Sequence, residues 1–424
     1  MPRLIQYLGP GLLLAGAAIG VSHLVQATRA GAEFRFALIW LLIVACLSKY
    51  PFLEIGPRYV AATGEDLIQG YRRLGLWAVW VCLVVTLGSM FIIQAAVTFV
   101  TGAIAVHVFG VGTPVLWCGI ALTLCMLMLA IGRYPLLDVS MKVIMAVLLA
   151  ATLAAVIIAL WHSGIPAVRE HATPIWTVGG FAFLLAFMGW MPIPIDSAIW
   201  HSIWIRENER RTGSRTNLRS ALIDFNTGYL LAGLVAIAFL LLGATVMYGD
   251  GTAFSTAGGA FVGQLVEMYT QTLGEWSRPL IAIAALTTMF STTLVVLDAF
   301  PRVMQRLLGT LLTRSVFASK PGPVYVVHVV LLAGVAMLII SAFAQNLIRL
   351  IDLATTLSFL TAPILAMINY LVITGKNVPA SARPGPWLRV LCWASIVFLT
   401  LFSLAYIDMQ WGGLLAGVIF GASS

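Results

Sequence analysis

The sequence predicts an all-α polytopic membrane protein: about eleven transmembrane helices, arranged as two inverted repeats of five plus one extra helix, with helices 1 and 6 broken. Three observations carry this. First, 61% of the 424 residues are hydrophobic and only 9% are charged, whereas soluble domains are about half apolar and about a quarter charged. Second, long stretches such as 111–132 and 143–161 hold no charged side chain, and about 20 apolar residues suffice to cross a bilayer as a helix. Third, helix breakers recur at mid-depth in two spans that lie five apart. The composition excludes a disordered chain, a cytosolic enzyme and a nucleic-acid binder.

Hydropathy places the helices at 8–30, 37–60, 77–106, 112–131, 139–161, 176–204, 221–247, 279–298, 322–343, 350–373 and 387–406. The segment 412–421 is apolar but too short to span. The division expected is a first repeat in 1–161, a second in 176–373, and helix 11 with the tail in 387–424. With eleven spans, 19 of the 24 Lys and Arg fall in loops on the side of the N-terminus, Lys49 counted among them. The other side keeps Arg29, Arg35, Arg169, Arg278 and Arg349. Such a bias predicts a cytoplasmic N-terminus and an outer C-terminus, in a bacterial plasma (inner) membrane. The net charge of +8 is therefore topological, spread over span ends. Five cysteines all lie inside apolar runs and read as small packing residues. No cleavable leader is expected, because the first apolar segment has no small-residue cleavage site after it.

Two spans are not uninterrupted apolar runs. The first reads Gly9-Pro10-Gly11, then Gly16, and then Gly20-Val21-Ser22-His23 and Gln26. The sixth reads Gly189-Trp190-Met191-Pro192-Ile193-Pro194-Ile195-Asp196-Ser197, with His201 and Ser202 beyond. Pro192 and Pro194 each remove a backbone donor, and Gly20 relaxes the local dihedrals. Freed backbone groups inside a bilayer are costly unless they line a cavity or bind an ion. Neighbouring helices can seal a single kink. Two interruptions at matching places in two halves point instead to a transporter binding site between inverted repeats.

The first seventy residues resemble the Nramp divalent-metal transporters, whose architecture is LeuT-like. The resemblance rests on Gly9-Pro10-Gly11, on Ala30-Gly31-Ala32 after the first helix, and on Thr63-Gly64-Glu65-Asp66-Leu67 after the second. Gly102-Ala103-Ile104-Ala105, His201-Ser202 and Ser291-Thr292-Thr293 are similar too, and weaker similarity runs through span 10. The resemblance implies a metal site made by the Asp and Asn of an Asp-Pro-Gly-Asn motif in helix 1 and a Met in helix 6. This chain departs there. Gly20 stands at the aspartate and His23 at the asparagine. Pro194 stands at the methionine, and Thr98 at an acidic position implicated in proton handling.

The altered residues favour a different ion. Hard divalent cations want several oxygens with a carboxylate, and transition metals want imidazole, thiolate or carboxylate. Half-helices restarting near Ser22 and Ser197 would instead aim amide donors and positive dipole ends at the cavity. The expected substrate-binding set is Gly20, Val21, Ser22, His23, Gln94, Thr98, Pro194, Asp196 and Ser197. Asp196 and His201 are the candidates for coupling a proton or cation. A small inorganic anion such as bicarbonate fits this set best. The alternative is a proton-coupled divalent metal ion (Mn, Fe or Mg) held by Asp196 and His23. No cofactor and no resident metal are expected, and the chain is expected to work as a monomer in the lipid bilayer.

The remaining ionisable groups read as structural. Asp298–Arg302, Glu54–Arg58 and Asp138–Lys142 are i,i+4 pairs, and Arg29 either snorkels outward or raises the cavity potential. His107 and His328 have no recognisable company, and Thr355, Thr356 and Ser358 are ordinary interhelical glue. An intramembrane hydrolase built on Gly20-Val21-Ser22-His23 is disfavoured, because adjacent helical positions point about 100° apart and keep His23 from serving Ser22. No HExxH or GxxxxGK[ST] motif is present.

Overall fold

Inside hydrocarbon every backbone N–H and C=O must find a partner within the protein, so apolar runs of this length close into helices. A computed structural model describes residues 9–131, 147, 149–161, 175, 177–248, 258–312 and 321–410. The first span is α1 (Pro10–Ala18), a π-helical turn (Ser22–Ala27) and α2 (Thr28–Phe34). Then follow α3 (Ile39–Thr63), the short α4 (Leu67–Leu74), α5 (Leu76–Phe109), α6 (Pro114–Ile131) and α7 (Leu149–Trp161). The sixth span is split into α8 (Val178–Trp190) and α9 (Ser197–Thr212). The chain continues through α10 (Leu218–Leu242), α11 (Gly258–Leu273), α12 (Ser277–Leu311), α13 (Pro321–Ala342), α14 (Leu347–Ile373) and α15 (Pro386–Gln410).

Each of the eleven expected spans has a helical counterpart among the described residues. Eight are continuous helices long and apolar enough to cross a membrane. The others are the two broken spans and the fifth, of which residues 149–161 are described as a helix. Two further helices were not expected. One is α4, opened by a capping box in which Asp66 Oδ1 accepts from the Gln69 amide and Gln69 Oε1 from the Asp66 amide, both at 3.0 Å. The other is α11, between spans seven and eight. The Asp138–Lys142 pair and the segment 412–421 lie outside the described residues.

The broken spans sit at the centre because their neighbours pack closely on them. α10 lies along α1, α14 along α8, and α12 along α5. Small residues set these approaches: a Cβ on Gly228 would stand 2.2 Å from the Gly11 carbonyl oxygen, and one on Gly189 only 1.9 Å from that of Thr355. Large apolar side chains such as Trp40, Val84, Leu234 and Leu338 are exposed on the outside of the bundle. A membrane-embedded surface presents such side chains to lipid, and a water-facing surface of this extent would be an aggregation hazard.

Candidate functional site: a cavity between two broken helices

The first break follows from residues 18–23. α1 ends at Ala18, Gly20 N–H closes back on the Ala18 carbonyl at 2.8 Å, and the chain resumes as a π-helical turn whose six residues are all buried. Gly20 lies against α12, where a Cβ would stand 2.9 Å from Thr292 Oγ1. A side chain at Gly20 would need Thr292 to shift. His23 Nε2 lies 2.9 Å from the Ala232 carbonyl oxygen, and its Nδ1 lies 2.7 Å from Ser22 Oγ. A carbonyl only accepts, so Nε2 carries the hydrogen and Nδ1 is left to accept from Ser22. The same hydroxyl is 2.9 Å from the Ala18 carbonyl, so its one proton has two acceptors. The expectation that Ser22 and His23 cannot meet is therefore wrong: the irregular turn, not an ideal α-helix, sets their directions.

α1 also has its N-terminus held from a distance. Asp224 of α10 accepts from the amides of Gly9 (3.1 Å) and Gly11 (2.6 Å), donors that a helix start leaves without partners.

The second break has a different device. Pro192 and Pro194 have no N–H for the carbonyls of Met188 and Trp190 four residues earlier. The ammonium of Lys49, from the middle of α3, reaches into this gap. Its Nζ donates to the carbonyl oxygens of Met188 (2.5 Å), Gly189 (2.7 Å) and Ile193 (3.4 Å). The residue is 1% exposed. Beyond the break, Ser197 Oγ donates to the Pro194 carbonyl at 2.7 Å as α9 begins. Asp196 Oδ1 is buried with no hydrogen-bond partner among the described residues, and its carboxylate lies within electrostatic reach of Lys49.

Between the breaks is a cavity of about 30 Å³. That is room for one or two water-sized groups, the scale of a monatomic ion; a four-heavy-atom ion such as bicarbonate needs the walls to part further. Its polar side chains are Ser22, Thr292 and the indoles of Trp190 and Trp200; the rest of the wall is aliphatic or proline. Trp190 already donates its indole N–H to Ser358 Oγ at 2.8 Å.

Of the expected site residues, Val21, Ser22 and Pro194 line this cavity. Gly20 backs onto Thr292. The other five are not in its wall. His23 is turned toward α10. Gln94 Nε2 donates to Thr98 Oγ1 at 3.0 Å and to the Thr293 carbonyl at 3.4 Å, so this pair ties α5 to α12. Asp196 and Ser197 start α9, behind Pro194. The coupling candidate His201 is buried deeper in α9, 6.0 Å from the Phe225 ring, with neither ring nitrogen hydrogen-bonded among the described residues. Sequence reasoning missed Asp224, Thr292 as a wall residue, and Lys49, which it counted among loop charges. The signal for Lys49 was present: a lone cation well inside an apolar run. Nothing local pointed to Asp224, which acts across more than 200 residues.

Two larger hollows flank the centre. One, of about 510 Å³, is lined by Arg29, Glu33, Arg349 and Asp352 among others. Arg29 Nη1 and Gln26 Nε2 both donate to Asp352 Oδ1 at 2.9 Å, joining the first span to α14. The other, of about 650 Å³, is lined by Asp66, Glu207, Arg210, Arg302 and Arg306 among others. Arg306 donates to Glu207 at 2.9 Å. Burial pushes the Asp66 carboxyl above its ordinary value, with Arg306 opposing. The expected pairs Asp298–Arg302 (2.7 Å) and Glu54–Arg58 (2.5 Å) are formed, and Tyr325 donates to the same Asp298.

An apolar bundle in which two spans are interrupted around an ion-sized cavity, with a polar hollow on each side, is the body of a membrane transporter. The chain belongs to the Nramp family: the family model described as natural resistance-associated macrophage protein-like matches residues 11–407. A Pasteurella multocida protein whose function is uncharacterized is 35% identical over 414 residues, covering 96% of this chain and 93% of its own. The divalent metal cation transporter MntH of Listeria innocua is 22% identical over 426 residues, covering 95% of this chain and 89% of its own. Among solved structures, the Eremococcus coleocola manganese transporter aligns with a TM-score of 0.72 at 17% identity, over 99% of this chain and 89% of that one. Mhp1, a nucleobase-cation-symport-1 family transporter, aligns at 0.60 and 17% identity, over 98% of this chain and 94% of its own. These two likenesses establish the LeuT-like fold.

Proposed function

We propose that this protein is a secondary transporter that carries a small inorganic anion, bicarbonate being the favoured species, by alternating access around the cavity between the two breaks. One observation carries the reading. Among the described residues the cavity wall has no carboxylate, imidazole, thiol or thioether, and the buried Lys49 ammonium sits on the break that forms one side of it. A doubly charged cation there would lose its hydration to neutral groups beside a fixed positive charge. An anion would gain from that charge, and from the hydroxyls of Ser22 and Thr292 once they turn from their present acceptors, the Ala18 and Thr288 carbonyls. Among the described residues no three His, Cys, Asp or Glu side chains cluster closely enough to hold a metal.

The relatives weigh on the other side. Several are named divalent metal cation transporters, and they favour a divalent metal ion over the anion. The observation in this chain that fits that second reading is the partnerless Oδ1 of Asp196. Under either reading Asp196 and His201 are the groups proposed to handle a coupling proton. The two inverted repeats are proposed to rock against one another in a plasma membrane, with the N-terminus cytoplasmic.

Flux in liposomes separates the readings. With purified protein, bicarbonate gradients should change the pH inside the vesicles, and manganese should neither enter nor compete. Manganese uptake that other divalent metals inhibit, with no response to bicarbonate, would overturn the anion reading in favour of the metal.

A further inference from the structure

We propose that Lys49 is a tethered cation: its ammonium fills a carbonyl-lined monovalent-cation site in the break of the sixth span, doing permanently what a bound co-transported cation would otherwise do. The proposal rests on the chain being a transporter, not on which ion it carries.

The acceptors are the reason. A helix leaves its last carbonyls without amide partners and carries partial negative charge at that end. Here Pro192 denies Met188 its helical amide and leaves it the Met191 amide at 3.3 Å, and the Met188, Gly189 and Ile193 carbonyls all turn toward one point. Met188, Gly189 and Ile193 supply three acceptors at 2.5, 2.7 and 3.4 Å, and an ammonium has three N–H donors. The match uses every donor. A lysine at this depth is costly to bury, and Lys49 cannot escape outward: it starts near the middle of the 25-residue α3 and is 1% exposed. Among the described residues no carboxylate touches it; Asp196 acts only through space. Its charge is therefore balanced mainly by carbonyl dipoles, as that of a desolvated alkali or ammonium ion would be. Two consequences follow. The interrupted sixth span stays anchored to α3 without a bound ion, and transport needs no co-transported monovalent cation at this position.

Replacing Lys49 with Ala empties the cage while leaving its oxygens, and this gives the test. The purified wild type should have the same melting midpoint in sodium, potassium, ammonium or methylammonium chloride as in N-methylglucamine chloride. K49A should melt lower and be restabilised saturably by ammonium or methylammonium, and to a lesser degree by sodium. Its flux in vesicles should fall about tenfold, the scale of one lost charge-assisted anchor. Ammonium should restore that flux at the same half-saturation as it restores stability. K49M fills the cage without charge, so it should be equally slow and unresponsive to any cation. If K49A is not recovered folded, K49M decides alone: wild-type flux in K49M overturns the proposal. So does a K49A protein that matches wild type, or one whose stability and flux ignore every cation. Loss of the anion reading would leave these outcomes unchanged, because they are read with whichever ion the wild type carries.

Discussion

Asp224→Ala should loosen the start of the first span by about 3 kcal/mol. The carboxylate accepts from two backbone amides, Gly11 at 2.6 Å in a buried position and Gly9 at 3.1 Å in a half-buried one. Loss of a capping side chain alone costs about 0.5–2 kcal/mol, and each amide left unpaired away from water adds about 1–3 kcal/mol. The half-burial of Gly9 and the chance for water to reach it pull the total below the simple sum. Asp224→Asn keeps one acceptor oxygen near Gly11 but loses the charge, and about 1 kcal/mol is expected. Titrating the protein in mixed micelles with dodecyl sulfate, and following its 13 tryptophans, measures the difference directly. An Ala variant within about 0.5 kcal/mol of wild type, the range of an ordinary surface change, would refute the capping account. Equal losses for Ala and Asn would refute the role given to the retained oxygen.

Three further substitutions test the cavity and its walls. Ser22→Ala removes one of the cavity's two hydroxyls and should raise the substrate KM about five- to tenfold, the worth of one hydrogen bond, with little change in maximal flux; an unmoved KM would put Ser22 outside the substrate shell. His23→Ala breaks the link from Ser22 to Ala232 and leaves a buried void. It should abolish flux and also lower unfolding stability by about 2–4 kcal/mol, and a variant with wild-type flux would remove His23 from the mechanism. Gly189→Ala forces a Cβ against the Thr355 carbonyl, whereas Gly179 has open space around it. The first should cost about 1–3 kcal/mol by overpacking and the second almost nothing, as thermal unfolding of the two variants would show.

What the sequence made legible was whatever depends on local composition and periodicity. The spans, the two interruptions and the pairs Glu54–Arg58 and Asp298–Arg302 are set by residues within a turn or two of each other, and each was readable. The candidate site was legible only in part. Val21, Ser22 and Pro194 line the cavity because the breaks themselves form it. Gln94 and Thr98 were expected beside the substrate as neutral donors, Thr98 also because it stands at the acidic position the resemblance implies. They face α12 instead, and which face of α5 meets which neighbour is a tertiary fact. Lys49 shows the opposite failure. A cation in a membrane chain is ordinarily a topological marker, and counting it so concealed that it sits at mid-helix against another span's carbonyls. Gly20 stands out in the sequence as a helix breaker, but its close approach to Thr292, which a Cβ would crowd, is a tertiary fact.

The central claim is that the space between the two breaks is built for a small anion beside a resident ammonium and not for a metal. Crystals of the wild type grown with manganese, measured at a wavelength where manganese scatters anomalously, test it most directly. The account predicts no anomalous peak between the turn at Gly20–Ser22 and the stretch Met191–Asp196. A peak there, with protein oxygens at about 2.2 Å as manganese–oxygen coordination requires, would contradict it.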